Sequence, residues 1–311
     1  MTPLLDRDLL YVTGKGGVGK TMVAAAIALA AAGRGRRAVL CEVTAQTRLG
    51  PLLGDAEAGP GRETALDGGL HVTAIDPQAA LEEWLRTQIG GALVRVLAQS
   101  RAFGYFVAAA PGARELVTIT KAWELTQPRR WDRRAAGYDL VVVDAPSSGH
   151  GVGMLRTPRT FADIARVGPI RAQADRVLKL LRDPARAGYV GVAAPAEMPV
   201  GETLELERLL PEAIGRDLDA IVVNAVYPRR FSPAEMERVS AATGSGASRS
   251  ACAAGAAARS RAARVREQQG QLRRLRRAAR APVVTLPFLF RPALDLRAAG
   301  ELAPALAARL P

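Results

Sequence analysis

The sequence predicts an α/β fold in which a mainly parallel, doubly wound sheet carries a helical insertion lobe. Seven apolar runs alternate with helical patterns along the 311 residues, which is typical of parallel strands covered by helices on both faces. A glycine-rich loop joins the first run to the first helix. From residue 79 to about residue 134 the apolar spacing becomes helical. We expect a single domain over residues 1–311, with the lobe formed by about residues 78–135 and 152–186.

The first strand is predicted at residues 8–13, and a helix is predicted at residues 22–30. The loop between them is Gly14-Lys15-Gly16-Gly17-Val18-Gly19-Lys20-Thr21. Strand, glycine loop and helix in this order indicate a P-loop, in which backbone amides and the helix dipole attract phosphate. The alternative is a glycine-rich turn with a chance lysine.

Two side chains at the end of the loop indicate a nucleotide site of the P-loop NTPase kind. Lys20 is expected to reach the β- and γ-phosphates, and the Thr21 hydroxyl is expected to bind Mg²⁺. A Cβ at Gly16, Gly17 or Gly19 is expected to block the phosphate or the backbone angles. These two side chains therefore predict a phosphate-bearing nucleotide together with Mg²⁺.

The second strand is predicted at residues 37–43, so residues 44–50 lie past its carboxyl end, where doubly wound sheets bind ligands. Residues 55–69 are rich in glycine, proline and charge, which predicts a loop, and residues 70–77 predict a short third strand. Within the helical lobe, the aromatic stretch at residues 102–110 could line a client groove, but buried packing is the preferred interpretation.

The fourth strand, at residues 138–144, has the form of a Walker B strand because a β-branched run ends in an acid. This acid, Asp144, is expected to accept hydrogen bonds from Mg²⁺-bound water or from the Thr21 hydroxyl. Residues 145–151 predict a turn that changes shape when the γ-phosphate leaves. The alternative is a buried strand with a chance aspartate. His150 in the turn is expected to be solvated or to position the loop.

Further strands are predicted at residues 188–193 and 219–224, and residues 282–289 are expected to supply the last strand and a proline-rich loop. Further helices are predicted at residues 157–186, 199–214 and 293–310. Asn224 ends one of these strands, and its carboxamide can offer a donor and an acceptor to an adenine edge. An asparagine that starts a turn is the rival interpretation.

Composition restricts the class of protein. Cys41 and Cys252 lie far apart and indicate neither a disulfide framework nor a zinc site, which suits a reducing cytoplasm. We expect no membrane span and no signal peptide. The formal net charge is +13, and residues 249–280 contribute +9 of it through ten arginines and one acid. Interleaved aromatic residues are missing there, which argues against a stacking platform for single-stranded nucleic acid. A solvated helix face is the preferred interpretation, and an acidic partner, lipid headgroups and nucleic acid are the alternatives.

Lys15 directly follows the first glycine of the loop, and this form resembles the deviant Walker A motif of the ArsA, MinD, ParA and nitrogenase-iron-protein ATPases. In that group the early lysine crosses a dimer interface to the partner's nucleotide. The resemblance therefore implies this role for Lys15. A solvated lysine beside a phosphate site is the alternative.

The order of the motifs resembles the family of ArsA and tail-anchored-protein-targeting ATPases over nearly the whole length, in particular its single-domain actinobacterial branch of anion-transporting ATPases. The segments that carry the resemblance are the P-loop, residues 144–150, Val223-Asn224 and Leu286-Pro287-Phe288-Leu289. By this similarity Asn224 contacts adenine, and the loop at Pro287 and Phe288 closes over the base.

Two positions depart from the family pattern. Thr44 stands where the family places an aspartate that orients the attacking water, and a hydroxyl is not an effective base at neutral pH. Glu42 would share a face with Thr44 in an extended strand and is the second candidate. The stretch near Ala258 and Arg261 lacks the CxxC with which targeting members hold a bridging zinc, so no zinc is expected. Hydrolysis is expected to be slow, absent or completed by a partner subunit.

The resemblance implies a dimeric switch ATPase that binds ATP, hydrolyses it slowly and couples its nucleotide state to a protein partner or client. The dimer would be a homodimer or a heterodimer with a paralogue. One alternative is a non-hydrolysing regulatory subunit beside a catalytic paralogue. The other is a ParA- or MinD-like surface-localising ATPase whose arginine-rich helix binds DNA or anionic lipid. Nucleic acid is not the expected partner, and membrane contact is expected to be peripheral at most.

Overall fold

A computed structural model of the chain describes residues 2–43, 61–89, 112–244 and 247–311. The strands in these ranges are β1 (Leu9–Gly14), β2 (Ala38–Glu42), β3 (Thr64–Ala65), β4 (Leu70–Ala74), β5 (Leu140–Ser147), β6 (Ala187–Ala193), β7 (Ala220–Val226) and β8 (Val283–Pro287). They form one sheet in the order β3-β4-β2-β5-β1-β6-β7-β8. Every neighbouring pair is parallel except β3 and β4. The predicted α/β fold with a mainly parallel sheet is confirmed.

Helices cover both faces of this sheet. Those in the described ranges are α1 (Lys20–Ala32), α2 (Pro77–Ile89), α3 (Ala113–Leu125), α4 (Ser148–Ile164), α5 (Pro169–Arg182), α6 (Glu197–Ile214), α7 (Pro233–Ala242), α8 (Arg249–Ala278) and α9 (Leu296–Arg309). The core on one face is formed with α1 and α9, and the core on the other face with α3, α4, α5, α6 and α8. None of the described helices combines the length and the apolarity that crossing a membrane requires.

The packing of the central strand β1 explains why its residues form a continuous apolar run. Leu10 and Val12 belong to the core on the α1 face, whereas Leu9 and Tyr11 belong to the core on the opposite face. Successive side chains of a strand point to opposite faces, so a strand covered on both faces needs apolar residues at every position. This arrangement places the carboxyl end of β1, and the loop after it, at the middle of one sheet edge.

The structure corrects three sequence predictions. Part of the segment expected to be a loop, residues 55–69, forms β3, which pairs antiparallel with β4. The turn expected at residues 145–151 is instead the end of β5 and the start of α4 at Ser148, because Ser147 pairs with Gly14 and prolongs the strand. The helix expected at residues 157–186 starts earlier, at Ser148, and is broken between α4 and α5, where Gly168 has a φ of 94°.

The helices α2, α3, α4 and α5 pack against one another beside the sheet. Residues 44–60 and 90–111, which include the aromatic stretch at 102–110, lie outside the described residues. The division of the chain into one domain with a helical lobe stays a prediction.

A group of buried charges ties α3 to the edge of the sheet. Arg130 lies between two carboxylates, with Nε 2.6 Å from Glu124 Oε1 and Nη2 2.6 Å from Glu63 Oε1. The Tyr138 hydroxyl donates to Glu63 Oε2 at 2.7 Å, and Lys121 Nζ lies 2.9 Å from Glu124 Oε2. Because Glu63 directly precedes β3, this group holds the short edge strand in place.

Candidate functional site

The loop between β1 and α1 has a backbone that requires glycine at three positions. Gly17 and Gly19 have φ values of 83° and 87°, in the region that side chains with a Cβ rarely adopt. A Cβ at Gly19 would collide with the Asn224 carboxamide, and one at Gly14 would collide with the Val192 carbonyl oxygen of β6. The loop is therefore fixed by contacts with β6 and β7.

Gly16 differs from these glycines. Its φ is not positive, and a Cβ there would meet no atom within 4 Å among the described residues. The backbone angles therefore do not require glycine at this position. That a Cβ at Gly16 would block a phosphate stays a prediction.

Lys20, the first residue of α1, folds its side chain back over the loop. Its ammonium donates to the Lys15 carbonyl oxygen at 3.1 Å, and the residue is only 6 % exposed. A buried cation in a glycine-rich turn at the amino end of a helix favours the binding of a polyvalent anion. The arrangement is therefore suited to phosphate groups.

Thr21 and Asp144 lie in direct contact next to the loop. The Thr21 hydroxyl donates to Asp144 Oδ2 at 2.5 Å, and Asp144 is buried at 5 % exposure. A hydroxyl and a carboxylate that converge beside a phosphate site are the oxygen ligands that suit Mg²⁺, which takes one or two carboxylates together with substrate phosphates. The residues present thus fit this ion. Among the described residues, no three His, Cys, Asp or Glu side chains form a group that could hold a metal on their own.

Glu42 lies beside Asp144 at the same edge of the sheet. The two residues are Cα partners in the pairing of β2 with β5, and Glu42 is buried at 1 % exposure. Leu40 and Val142, two positions earlier in each strand, belong to the core on the α1 face. By the alternation of a strand, Glu42 and Asp144 point to that face as well. Thr44, the other candidate after β2, lies outside the described residues.

Lys15 forms an ion pair within the chain, with Glu202 on α6. The second oxygen of Glu202 accepts a hydrogen bond from the Ser148 hydroxyl at 3.4 Å. The sequence indicated no role for Glu202 beyond its place in the helix predicted at residues 199–214, and the structure begins that helix earlier, at Glu197. No local pattern indicated that this carboxylate meets the loop, because α6 lies more than 180 residues further along the chain.

Asn224 braces the loop from the side of β7. Its amide nitrogen donates to the Val18 carbonyl oxygen at 3.1 Å. The next residue, Ala225, has a φ of 59°, and the register between β7 and β8 shifts there. The chain then turns toward Pro287 and Phe288, and the Phe288 amide donates to the Val226 carbonyl oxygen at 2.9 Å. The residues expected near adenine therefore adjoin one another.

An aromatic cluster, which sequence reasoning missed, surrounds Phe288. The Tyr227 ring lies 4.7 Å from the Phe288 ring, and the Phe290 ring lies 4.9 Å from it. The Arg261 guanidinium carbon lies 3.6 Å from the Tyr227 ring centre, a close cation–π contact. The prediction that residues 249–280 form only a solvated helix face is therefore wrong in part. The sequence signal for a packed side of α8 was the heptad spacing of its apolar residues Val265, Leu272 and Leu275, which are buried.

The structure thus brings most of the predicted site residues together at the carboxyl ends of the strands. Those at the ends of β1, β2 and β5 are Gly14, Lys15, Gly16, Gly17, Val18, Gly19, Lys20, Thr21, Glu42 and Asp144, and those at the ends of β7 and β8 are Asn224, Pro287 and Phe288. The carboxyl edge of a doubly wound sheet is where such folds bind ligands.

Comparisons with known proteins agree with this geometry. The family described as anion-transporting ATPase matches residues 7–171, a span that contains the loop and Asp144. The chain is 33 % identical over 239 residues to ATPase BagA of Mycobacterium tuberculosis, which covers 75 % of the chain and 69 % of that protein. It is 25 % identical over 266 residues to an arsenical pump-driving ATPase of Acidiphilium multivorum, which covers 75 % of the chain and 41 % of that protein. The chain is also 25 % identical over 253 residues to an arsenical pump-driving ATPase of Escherichia coli, which covers 71 % of the chain and 40 % of that protein.

Proposed function

Because this chain belongs to the ArsA family of anion-transporting ATPases, we propose that it is a Mg²⁺-dependent dimeric switch that hydrolyses ATP slowly and passes its nucleotide state to a protein partner or client. At family level it is a nucleotide-binding ATPase. The observation that carries the proposal is the group formed by the glycine loop, the buried Lys20 and the Thr21–Asp144 contact.

The nucleotide half of the proposal follows from this group. The loop amides and the amino end of α1 donate hydrogen bonds to the phosphates, and the Lys20 ammonium exchanges the Lys15 carbonyl oxygen for phosphate oxygens. Thr21 and Asp144 hold Mg²⁺, which neutralises charge on the phosphate oxygens when it is bound. Asn224 keeps the loop in its binding shape through Val18, and Phe288 with its aromatic neighbours offers an apolar surface to the base.

Slow turnover follows from the residues that could orient water. Thr44 takes the place of the family's aspartate and cannot act as an effective base at neutral pH. Glu42 is a carboxylate beside Asp144, yet it is almost completely buried. We therefore propose that the chain binds ATP well and turns it over slowly.

Coupling to a partner is supported by a groove in the helical lobe. This groove has a volume of about 210 Å³ and an almost wholly apolar lining. Its lining residues among those described include Leu81, Trp84, Leu116, Phe161 and Ile170. Ile170 and the nearby Ile164 are also exposed on the surface, as is common where apolar segments dock.

Calorimetric titration of the wild-type chain with ATP and Mg²⁺ tests the nucleotide half. We expect binding, and we expect Lys20→Ala to abolish it while circular dichroism shows an intact fold. Binding that is absent in the wild type, or unchanged in the variant, contradicts the site. Light scattering after gel filtration, with and without ATP, tests the dimer.

A second function is favoured by Thr44. If the chain is a non-hydrolysing regulatory subunit, phosphate release stays at the background rate for the purified chain and starts only when a catalytic paralogue is added. Phosphate release by the chain alone, lost in Asp144→Asn, excludes this alternative.

A further inference from the structure

A large cleft lies between α7 and α8, and its lining contains no residue of the glycine loop. It has a volume of about 1000 Å³, with residues 229–240 on one side and residues of α8 from 259 to 273 on the other. Its lining is strongly basic and includes one acid, Glu237. The arginines that line it are Arg229, Arg230, Arg259, Arg261, Arg266 and Arg273.

The charge of this cleft is not compensated within the described part of the chain. None of these arginines forms an ion pair with a carboxylate there, although other arginines do. For example, Arg280, just past the end of α8, lies 3.2 Å from Asp217, and Arg208 lies 2.7 Å from Glu205. A concave surface lined by one sign of charge concentrates the field and attracts the opposite charge. The cleft is therefore suited to an anionic ligand.

The length of the cleft indicates the size of that ligand. Arg259, Arg266 and Arg273 are seven residues apart, so they lie on one side of α8. From the first to the last the helix rises about 21 Å. This is longer than a free phosphate group and fits a segment of polymer, such as about six residues of extended peptide.

The floor of the cleft indicates the chemistry of that segment. Val265 is buried, and Phe231 and Met236 are half-buried, so the lining combines apolar side chains with the arginines. A protein segment with acidic and apolar side chains matches both features. Single-stranded nucleic acid needs a series of aromatic platforms, whereas the described lining has one aromatic residue, Phe231. A bilayer surface is flat and does not fill a concave cleft.

Two of the arginines are held in place before any ligand binds. Arg261 stacks on Tyr227, and its Nη2 atom has no hydrogen-bond acceptor among the described residues. Arg259 donates to the Thr243 hydroxyl at 2.9 Å. A guanidinium that is already ordered loses less conformational entropy on binding a carboxylate.

We propose that the cleft between α7 and α8 binds an acidic, partly apolar segment of a partner protein. The cleft of a second copy of this chain is excluded as the partner surface, because two equally basic clefts repel each other. The proposal does not depend on nucleotide binding, since Arg266 and Arg273, which its test removes, are separate from Lys20, Thr21, Asp144 and the aromatic cluster around Phe288.

Fluorescence anisotropy with labelled peptides tests this proposal on the full chain. The probes are peptides of about 14 residues, the length of helix that spans about 21 Å, rich in glutamate and leucine in helical and in alternating order. Matched peptides carry glutamine in place of glutamate, and a single-stranded DNA oligonucleotide of equal charge serves as the competing probe. The test variant is Arg266→Ala/Arg273→Ala. The matched control is Arg274→Ala/Arg276→Ala, which removes the same charge from exposed positions of α8 outside the cleft.

We expect the acidic peptides to bind to the wild-type chain. Their affinity should fall by about tenfold or more in the test variant and should change by less than about threefold in the control variant. The glutamine peptides should not bind. The proposal is overturned if no acidic peptide binds, or if the glutamine peptides bind. It is also overturned if both variants lose the same affinity for the acidic peptides, or if the test variant loses only its affinity for DNA. ATP titration of the same variants should match the wild type, so a failure here is distinguishable from a failure of the nucleotide site.

Discussion

The Lys15 ammonium is paired with the Glu202 carboxylate of the same chain. Both side chains are partly exposed, at 26 % and 39 %, and Glu202 also accepts from Ser148. The pair joins the glycine loop to α6 and to the first turn of α4. If Lys15 reaches the nucleotide of a partner subunit, as the family resemblance implies, this pair has to open. By holding Lys15 within its own chain, Glu202 would then disfavour formation of the closed dimer.

The first prediction concerns this pair. Glu202→Gln removes the charge that holds Lys15, so we expect the proposed ATP-dependent dimer to form at lower protein concentration. Because exposed ion pairs contribute about 0–1 kcal/mol, the free energy of unfolding should change by no more than that. Light scattering over a dilution series, with ATP and Mg²⁺, measures the first effect, and urea unfolding measures the second.

A matched control for this experiment is Glu205→Gln. Glu205 lies on the same helix and pairs with Arg208 at the surface, away from the loop. The control should dimerise like the wild type. Equal behaviour of the two variants would show that Glu202 does not restrain Lys15.

The second prediction concerns Asp144. Its carboxylate accepts from the Thr21 hydroxyl at 2.5 Å, and both groups fit Mg²⁺. Asp144→Asn keeps the size of the side chain but removes its charge, so the gain in ATP affinity that Mg²⁺ provides should largely disappear. Calorimetry with and without Mg²⁺ measures this gain. The exposed Asp175, which pairs with Arg171, supplies the control Asp175→Asn, in which the full Mg²⁺ effect should persist.

The third prediction separates two kinds of glycine in the loop. Gly19→Ala places a Cβ against Asn224 at a φ of 87°, so we expect a loss of about 1–3 kcal/mol in stability together with the loss of ATP binding. Gly16→Ala meets no atom within 4 Å, so its stability should equal that of the wild type.

Any loss of ATP affinity in Gly16→Ala therefore reports the approach of the phosphate itself. Thermal unfolding without nucleotide and ATP titration distinguish the two variants. If Gly16→Ala is as unstable as Gly19→Ala, the loop adopts a backbone other than the one described.

The fold was largely predictable from the sequence, for a physical reason. Parallel strands buried on both faces appear as unbroken apolar runs, as at Val141, Val142 and Val143, and seven such runs became strands. The two-residue strand β3 was not predictable, because its pairing depends on distant contacts between Glu63 and Arg130. The end of β5 was misjudged because Ser147 belongs to a turn by composition but to a strand by its pairing with Gly14.

The candidate site was likewise predictable from the sequence only in part. The loop from Gly14 to Thr21 is continuous in sequence, so its motif could be recognised without a structure. Glu202 and Arg261 meet the site from α6 and α8, and only the packing of those helices brings them there. Asn224 shows the intermediate case: its position at a strand end was expected, but its contact with Val18 depends on the exact register of β7.

The last prediction concerns pH and the edge of the sheet. Burial favours the neutral form of Glu63, but hydrogen bonds from Arg130 and Tyr138 outweigh it and hold its pKa below the ordinary value of 4.5. Burial, together with the nearby Arg37, lowers the pKa of His71 below 6.5. Both groups bind protons more weakly in the folded state, so their contribution to stability is complete above their ordinary pKa values and is lost as the pH falls.

We therefore expect the free energy of unfolding to decrease below about pH 6.5 through His71 and again below about pH 4.5 through Glu63. Urea unfolding at a series of pH values measures both steps. His71→Gln should remove the upper step and leave the lower one, while Glu63→Gln should do the reverse. Since Glu63 anchors β3 through Arg130, the second variant should also speed hydrogen exchange in β3 and β4 while leaving β6 and β7 protected. Uniform exchange across all strands would show instead that the edge does not open separately from the rest of the sheet.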